Sequence, residues 1–218
     1  MLPIPALQIV YEDDVLLVCH KPAGLMVEPD RNNHPNLLQQ VKQYVKAQTG
    51  EVLPYTQHLH RLDRVTSGIV LFTKQKEHLR FLSEQFAQGQ VSKQYEALTS
   101  HSPLLASGIL EHWHRKEKKK AVLVSADTPF AERARLEYHT SALDAQVLWH
   151  ITLHTGKYHQ IRVQLASIQC PIIGDSLYGS TEAYHDHAIA LHAAQLRITH
   201  PITLQLMEFE VPAPWHAV

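Results

Sequence analysis

The chain has 218 residues, 44% of them apolar and 19% charged, with a formal net charge of −1. That composition excludes a disordered polypeptide, and a chain this long buries a sizeable core without a disulfide framework or a structural metal. Near-zero net charge supplies no general cationic field, so any phosphate contact has to come from local clusters of Arg and Lys and from the 17 histidines, which titrate near neutral pH.

The opening Met1-Leu2-Pro3-Ile4-Pro5 has no basic segment leading into a long apolar one, so no secretory leader is expected. Val15 to Cys19 reads as a buried strand, entered through the acidic turn Glu12-Asp13-Asp14 and stopped by Lys21-Pro22-Ala23-Gly24. From Asn36 the apolar positions Leu37, Leu38, Val41, Tyr44 and Val45 follow helical spacing, and Gly50 lies just past the end. Ile69 to Thr73 is a second short buried strand, followed by a helix on Leu79, Leu82 and Phe86 that Gly89 closes. Strands then dominate: Gln94 to Thr99, Ala121 to Val124, Ala134 to His139, Val147 to Thr155 and Thr203 to Val211. A helix from about His159 to Ser167 interrupts them and ends before Pro171.

Strands that outnumber helices without regular alternation predict an α+β fold. No repeat, low-complexity tract or linker divides the chain, so one domain over residues 1–218 is expected, with no appended binding module. The apolar runs at Val15 to Cys19 and Ile69 to Phe72 are too short to cross a bilayer. Cys19 and Cys170 each lie in or beside an apolar run and read as buried thiols in a reducing compartment, which together with the first residues predicts a cytoplasmic protein.

The segment with most chemical content is His60-Arg61-Leu62-Asp63-Arg64, just ahead of the turn Thr66-Ser67-Gly68. A carboxylate beside a guanidinium is favoured in its ionised, nucleophilic form, although such a string taken alone is more commonly a structural ion pair. The basic run Arg115-Lys116-Glu117-Lys118-Lys119-Lys120, preceded by His112-Trp113-His114, reads by itself as a solvated turn between two strands. Arg162 alone reads as a surface residue of an amphipathic helix with Ile161 and Leu165 facing inward.

Histidines at i, i+2, namely His58 with His60, His112 with His114 and His185 with His187, would share one face of a strand. No His-Glu-x-x-His helix or cysteine cluster accompanies them, so a metal-dependent hydrolase is a poor second reading and no metal site is expected. Gly174 to Thr181 has the glycine spacing of a phosphate loop without its lysine and reads as a structural turn.

The run from His60 to Lys74, HRLDRVTSGIVLFTK, closely resembles the signature of the RluA-type family of RNA pseudouridine synthases. Further matches follow in the family's order: Ile9-Val10-Tyr11-Glu12-Asp13 with Lys21-Pro22-Ala23-Gly24, Lys93-Gln94-Tyr95-Glu96-Ala97, and Gly156-Lys157-Tyr158-His159-Gln160-Ile161-Arg162. Pro171-Ile172-Ile173-Gly174-Asp175 with Tyr178-Gly179, and Leu191-His192-Ala193 with His200-Pro201, resemble its C-terminal landmarks. The departures are Lys157 in place of a frequent arginine, Gln164 in place of a frequent histidine, and His20 in place of a frequent asparagine.

The resemblance implies a long, mixed, mostly antiparallel sheet with flanking helices and a central catalytic cleft. It implies an isomerase that converts uridine in structured RNA, ribosomal or transfer, to pseudouridine, with Asp63 as nucleophile attacking either the base or the sugar. Tyr95 would pack on the extruded uracil and Arg162 would pair with Asp63. Arg61 would contact or fill the space of the displaced nucleotide, and Arg64, His60 and Lys157 would join it in binding substrate. Beside such a site Arg115, Lys116, Lys118, Lys119 and Lys120 become candidate phosphate contacts, with Trp113 available to stack. No cofactor, membrane or obligate protein partner is implied, and a monomer is expected. The non-enzymatic alternative is an RNA-binding protein that keeps this fold without its activity.

Overall fold

A computed structural model describes residues 5–32 and 34–216; residues 1–4, read above for a leader, lie outside the described part. In chain order the elements are β1 (Gln8–Glu12), β2 (Leu16–Lys21), α1 (Leu37–Thr49), β3 (Gln57–His58), β4 (Ser67–Thr73), α2 (Leu79–Ala87) and β5 (Ser92–Thr99). There follow β6 (Ser107–Glu117), β7 (Lys120–Val124), β8 (Glu132–Leu143), β9 (Gln146–Leu153), α3 (Gln160–Ser167), β10 (Leu191–Thr199) and β11 (Leu206–Glu210). The registered strand pairs are antiparallel, while the isolated bridge Met26 to Asn36 runs parallel, which makes the pairing mixed but mostly antiparallel, as expected. Among the described residues no helix is long and apolar enough to cross a membrane.

The chain divides into two compact units, residues 1–91 with 193–218 and residues 92–192. In the first, the strand order is β1-β2-β4-β10, with β3 on β4 and β11 on β10. Its core gathers Val15, Leu16 and Val18 from around β2, Ile69 and Leu71 from β4, Leu82 from α2, Leu196 and Ile198 from β10 and Phe209 from β11. Each side chain so buried contributes roughly 1.5–3 kcal/mol. Helix α1 starts where the Asn36 side chain accepts from the Gln39 N–H at 3.0 Å. It stops where Gly50 turns left-handed (φ 72°) and returns its N–H to the Lys46 carbonyl, both ends as the sequence predicts.

In the second unit the strand order is β5-β9-β8-β6-β7. Directly paired residues point to the same side of a sheet. The rows Tyr95–Ile151–Tyr138 and Ala97–Trp149 are buried with Ala134, Leu136 and Leu153 and define the inner face. Trp149 is fully buried and donates its indole N–H to Thr99 Oγ1 at 2.7 Å, so the polar handle of the largest core residue is satisfied. Helix α3 lies over that inner face: Gln164 Nε2 reaches the carbonyls of Leu110 (3.1 Å) and Ala134 (3.2 Å).

Three expectations are corrected. Strand β10 and the extent of β6, expected only as an unbounded strand before the basic turn, were not anticipated, because each carries buried histidine where an apolar residue would signal a strand: His114 in β6 and His192 in β10 are fully buried. The last strand begins at Leu206, not Thr203, because His200 Nδ1 accepts the N–H groups of Ile202 and Thr203 and Leu204 turns left-handed (φ 57°). His185 and His187 lie in a turn rather than on a strand. Cys19 and Cys170 are free and buried, as expected.

Candidate active site

In the first unit, residues 59–66 link β3 to β4 and hold Asp63 on a loop tied down at nearly every residue. Leu62 is buried. His60 Nε2 accepts the Leu71 N–H at 3.2 Å and its ring stacks on Phe86 at 5.2 Å, so that nitrogen carries no proton. The Thr66 N–H closes a turn onto the Asp63 carbonyl at 3.1 Å. Arg64 and Gly24 are bonded reciprocally, Gly24 N–H to the Arg64 carbonyl at 2.7 Å and Arg64 Nε to the Gly24 carbonyl at 3.0 Å.

Under this loop sits Lys21, fully buried at the end of β2. Its Nζ donates to the carbonyls of Pro22 (3.0 Å), Leu25 (2.7 Å) and Arg64 (3.3 Å), three acceptors for the three N–H bonds of an ammonium. Burial pushes the ammonium down to about 7, opposed by the negative charge of Asp63 and assisted by the positive charge of Arg64. A positive charge buried beside the Asp63 loop was not nominated from sequence, where Lys21 served to end a strand and to match a family landmark, with no role at the site. The available signal was a lysine two residues past a fully apolar run, in the same strand.

Arg61 projects outward, 64% exposed, and pairs with Glu28, whose other oxygen meets His58 Nε2 at 2.9 Å. A cavity of about 140 Å³ adjoins them, lined by Met26, Val27, Glu28, Pro29, Arg61, Leu62 and Arg64. Glu28 is a second residue that sequence reading missed.

In the second unit, Tyr95 is buried on the inner sheet face opposite Ile151. Arg162 lies on α3 above that same face and is only 5% exposed, which corrects its reading as a surface residue. The charge is tolerated because Arg162 makes a two-pronged pair with Asp175, Nε to Oδ2 at 2.7 Å and Nη2 to Oδ1 at 2.9 Å. Asp175, itself 2% exposed, belongs to the segment read as a structural turn. The Arg162 guanidinium also rests 5.1 Å from the centre of the Tyr178 ring.

The remaining nominated cations are surface groups. Lys157 pairs with Glu132 at 2.6 Å. The basic run is the tip of the β6–β7 hairpin: Lys118 and Lys119 form the turn, Lys118 left-handed at φ 51°, while Arg115, Lys116 and Lys120 stand on the strands. Arg115 pairs with Glu117, and Lys116 Nζ sits 4.4 Å from the centre of the Tyr158 ring. Trp113 is 38% exposed, opposite Arg133 and Val124. His112 and His114 do share the inner face, but among the described residues no group of three or more His, Cys, Asp or Glu is arranged to hold a metal.

A family model described as RNA pseudouridylate synthase matches residues 15–167. The chain is 34% identical over 218 residues to the dual-specificity RNA pseudouridine synthase RluA of Escherichia coli K12, covering 96% of this chain and 94% of that one. It is 35% identical over 221 residues to the ribosomal large subunit pseudouridine synthase D of Nitrosomonas europaea, covering 95% of this chain and 62% of that one. Among solved structures, the human RNA pseudouridylate synthase domain containing 4 superposes with a TM-score of 0.77 at 25% identity, over 95% of this chain and 88% of that one. The human domain containing 1 superposes with a TM-score of 0.75 at 21% identity, over 98% and 87%, and shows the same fold.

Proposed function

The chain belongs to the RluA-type family of RNA pseudouridine synthases, and from that premise we propose that Asp63 is the nucleophile that detaches uracil from its ribose in a structured RNA. As an isomerase of this family it converts uridine to pseudouridine within RNA. In that conversion the bond from the sugar anomeric carbon to N1 breaks, a bond from that carbon to C5 forms, C5 loses its proton and N1 gains one. Asp63 adds to the base or to the anomeric carbon and departs when the new bond is complete. Arg162 is the cation that aims the carboxylate, and Tyr95 the aromatic that packs on the extruded base. Arg61 takes the place of the displaced nucleotide, with Arg64 and Lys157 in support and the hairpin cations on phosphates. Residues 1–218 act as one catalytic domain.

The observation that carries this reading is the construction around Asp63. Its loop is fastened at Leu62, Arg64 and Thr66, and a buried ammonium lies below, so a carboxylate is presented on a fixed backbone. A protein that merely binds RNA has no use for a carboxylate so held, since it repels phosphate. His60, with one ring nitrogen bonded to Leu71 and one face on Phe86, supports the loop more than it serves substrate. The target is a compact stem-loop of ribosomal or transfer RNA. Mapping of pseudouridines in total RNA from cells with and without the gene tests this: loss of one or a few sites names the target, and an unchanged map contradicts the assignment.

A further inference from the structure

Arg162, the hairpin and the turn after Asp175 form one connected assembly within the second unit, and its joint is Tyr178. The hydroxyl of Tyr178 lies 2.7 Å from the Ala121 backbone nitrogen and 2.9 Å from His159 Nδ1. A backbone N–H can only donate, so the hydroxyl accepts from Ala121; it also bonds His159 Nδ1, giving its own proton there in the imidazole tautomer that leaves this nitrogen bare. Burial pushes the Tyr178 phenol up to about 12, so that proton is retained throughout the neutral range.

Each partner leads somewhere. Ala121 is in β7, next to Lys120 of the basic tip. His159 caps α3 in a left-handed conformation (φ 53°), three residues before Arg162. Its ring stacks at 3.8 Å on Tyr158, whose hydroxyl donates to the Lys119 carbonyl at 3.3 Å and whose face carries Lys116. The ring of Tyr178 meanwhile lies against the Arg162 guanidinium, which Asp175 grips along one edge. A cation-bearing hairpin is thus bonded through one phenol to both the cap of the helix and the face of its arginine.

We propose that Tyr178 is a positioning residue that couples RNA contact at the β6–β7 hairpin to the placement of Arg162. This rests on the reading that the hairpin cations meet RNA and that Arg162 serves catalysis. Phosphates that draw on Lys116 and Lys119 load the hairpin, and the hydroxyl of Tyr178 passes that load to His159 and Arg162. Binding energy at the hairpin is then expressed in turnover and not only in affinity.

The test is a double-mutant cycle with a split of kcat from KM. The substrate is a pool of ribosomal and transfer RNA transcribed with 5-tritiated uridine, since the hydrogen at C5 is released when the new bond forms. Tyr178→Phe removes the hydroxyl and keeps the ring under Arg162. In the wild-type background, Lys116→Ala with Lys119→Ala raises KM and lowers kcat by about fivefold or more. In the Tyr178→Phe background the same pair raises KM while leaving kcat unchanged. Equal kcat losses in both backgrounds, or no effect of the lysines on either constant, overturn the proposal. Equal losses with a raised KM leave the RNA-contact reading standing, so the two failures are told apart. Hydrogen exchange gives a second readout that needs no turnover: the same RNA pool protects α3 in the wild type but only the hairpin in Tyr178→Phe. Protection of α3 in both proteins also overturns the coupling.

Discussion

Replacing Gly68 with alanine places a methyl group where the first unit has no room for one. Gly68 is the second residue of β4, just after the Asp63 loop, and pairs with Lys21 of β2. Its φ is +124°, and an added Cβ would lie 2.3 Å from the Ala193 carbonyl oxygen, 2.5 Å from its nitrogen and 2.7 Å from its Cα. The left-handed backbone alone costs a substituted residue about 1–3 kcal/mol. Because the obstructing atoms are backbone of β10, no rotamer change relieves them, and the shift of one strand adds about 1–3 kcal/mol. Gly50 is the matched control, with φ +72° but nothing within 4 Å of its added Cβ. Gly50→Ala should therefore lower stability by about 1 kcal/mol and Gly68→Ala by roughly 2–6 kcal/mol. Urea unfolding followed by tryptophan fluorescence measures both. A Gly68→Ala loss no larger than that of Gly50→Ala refutes the reasoning from close approach.

Further outcomes follow from the buried charges. Burial lowers the pKa of His114 from its ordinary value of 6.5, with Glu132 opposing and Lys157 assisting. The unfolded chain therefore takes up the proton first, and the stability contribution is complete above 6.5 and lost as pH falls below it. His114→Leu should flatten the acid fall in urea midpoint as pH drops below 6.5; an undiminished fall assigns it elsewhere. Lys21, at about 7 when folded against an ordinary 10.5, binds fewer protons folded than unfolded between those values, so stability rises with pH across that window. Lys21→Met should abolish the rise and, by loosening the Asp63 loop, cut pseudouridine formation at least about tenfold. A retained rise would show that the ammonium is not the group titrating. Glu28→Gln releases Arg61 from an exposed ion pair, so KM for RNA should fall by up to about fivefold with a steeper salt dependence. A raised KM would mean that Glu28 aims Arg61 and does not restrain it.

What could be read from the sequence divides along physical lines. Helix α1 was legible to the residue because its ends are set by local chemistry, the Asn36 side chain and the left-handed Gly50. Strand β6 was not, because its inner face carries His112 and His114 while Ile109 and Trp113 point outward, reversing the usual pattern. Asp63, Tyr95 and Arg162 were nominated by resemblance to a family, and no periodicity would have selected them. Asp175 and Lys21, named only as parts of family landmarks, were not nominated as site residues because burial of a charge is a tertiary property. The aspartate of a Gly-Asp turn looks solvated until α3 brings Arg162 onto it at 2.7 Å. Likewise, a lysine before proline looks like a strand end until three carbonyls converge on its ammonium.

The central claim, that Asp63 performs the chemistry on RNA, is tested most directly by Asp63→Asn on tritiated RNA transcripts, with binding measured in parallel. The amide keeps the size of the carboxylate and removes its charge. The account predicts that tritium release falls by more than about a thousandfold, while affinity for the RNA stays within about threefold of the wild type. Tritium release at near wild-type rate from the folded variant would contradict it.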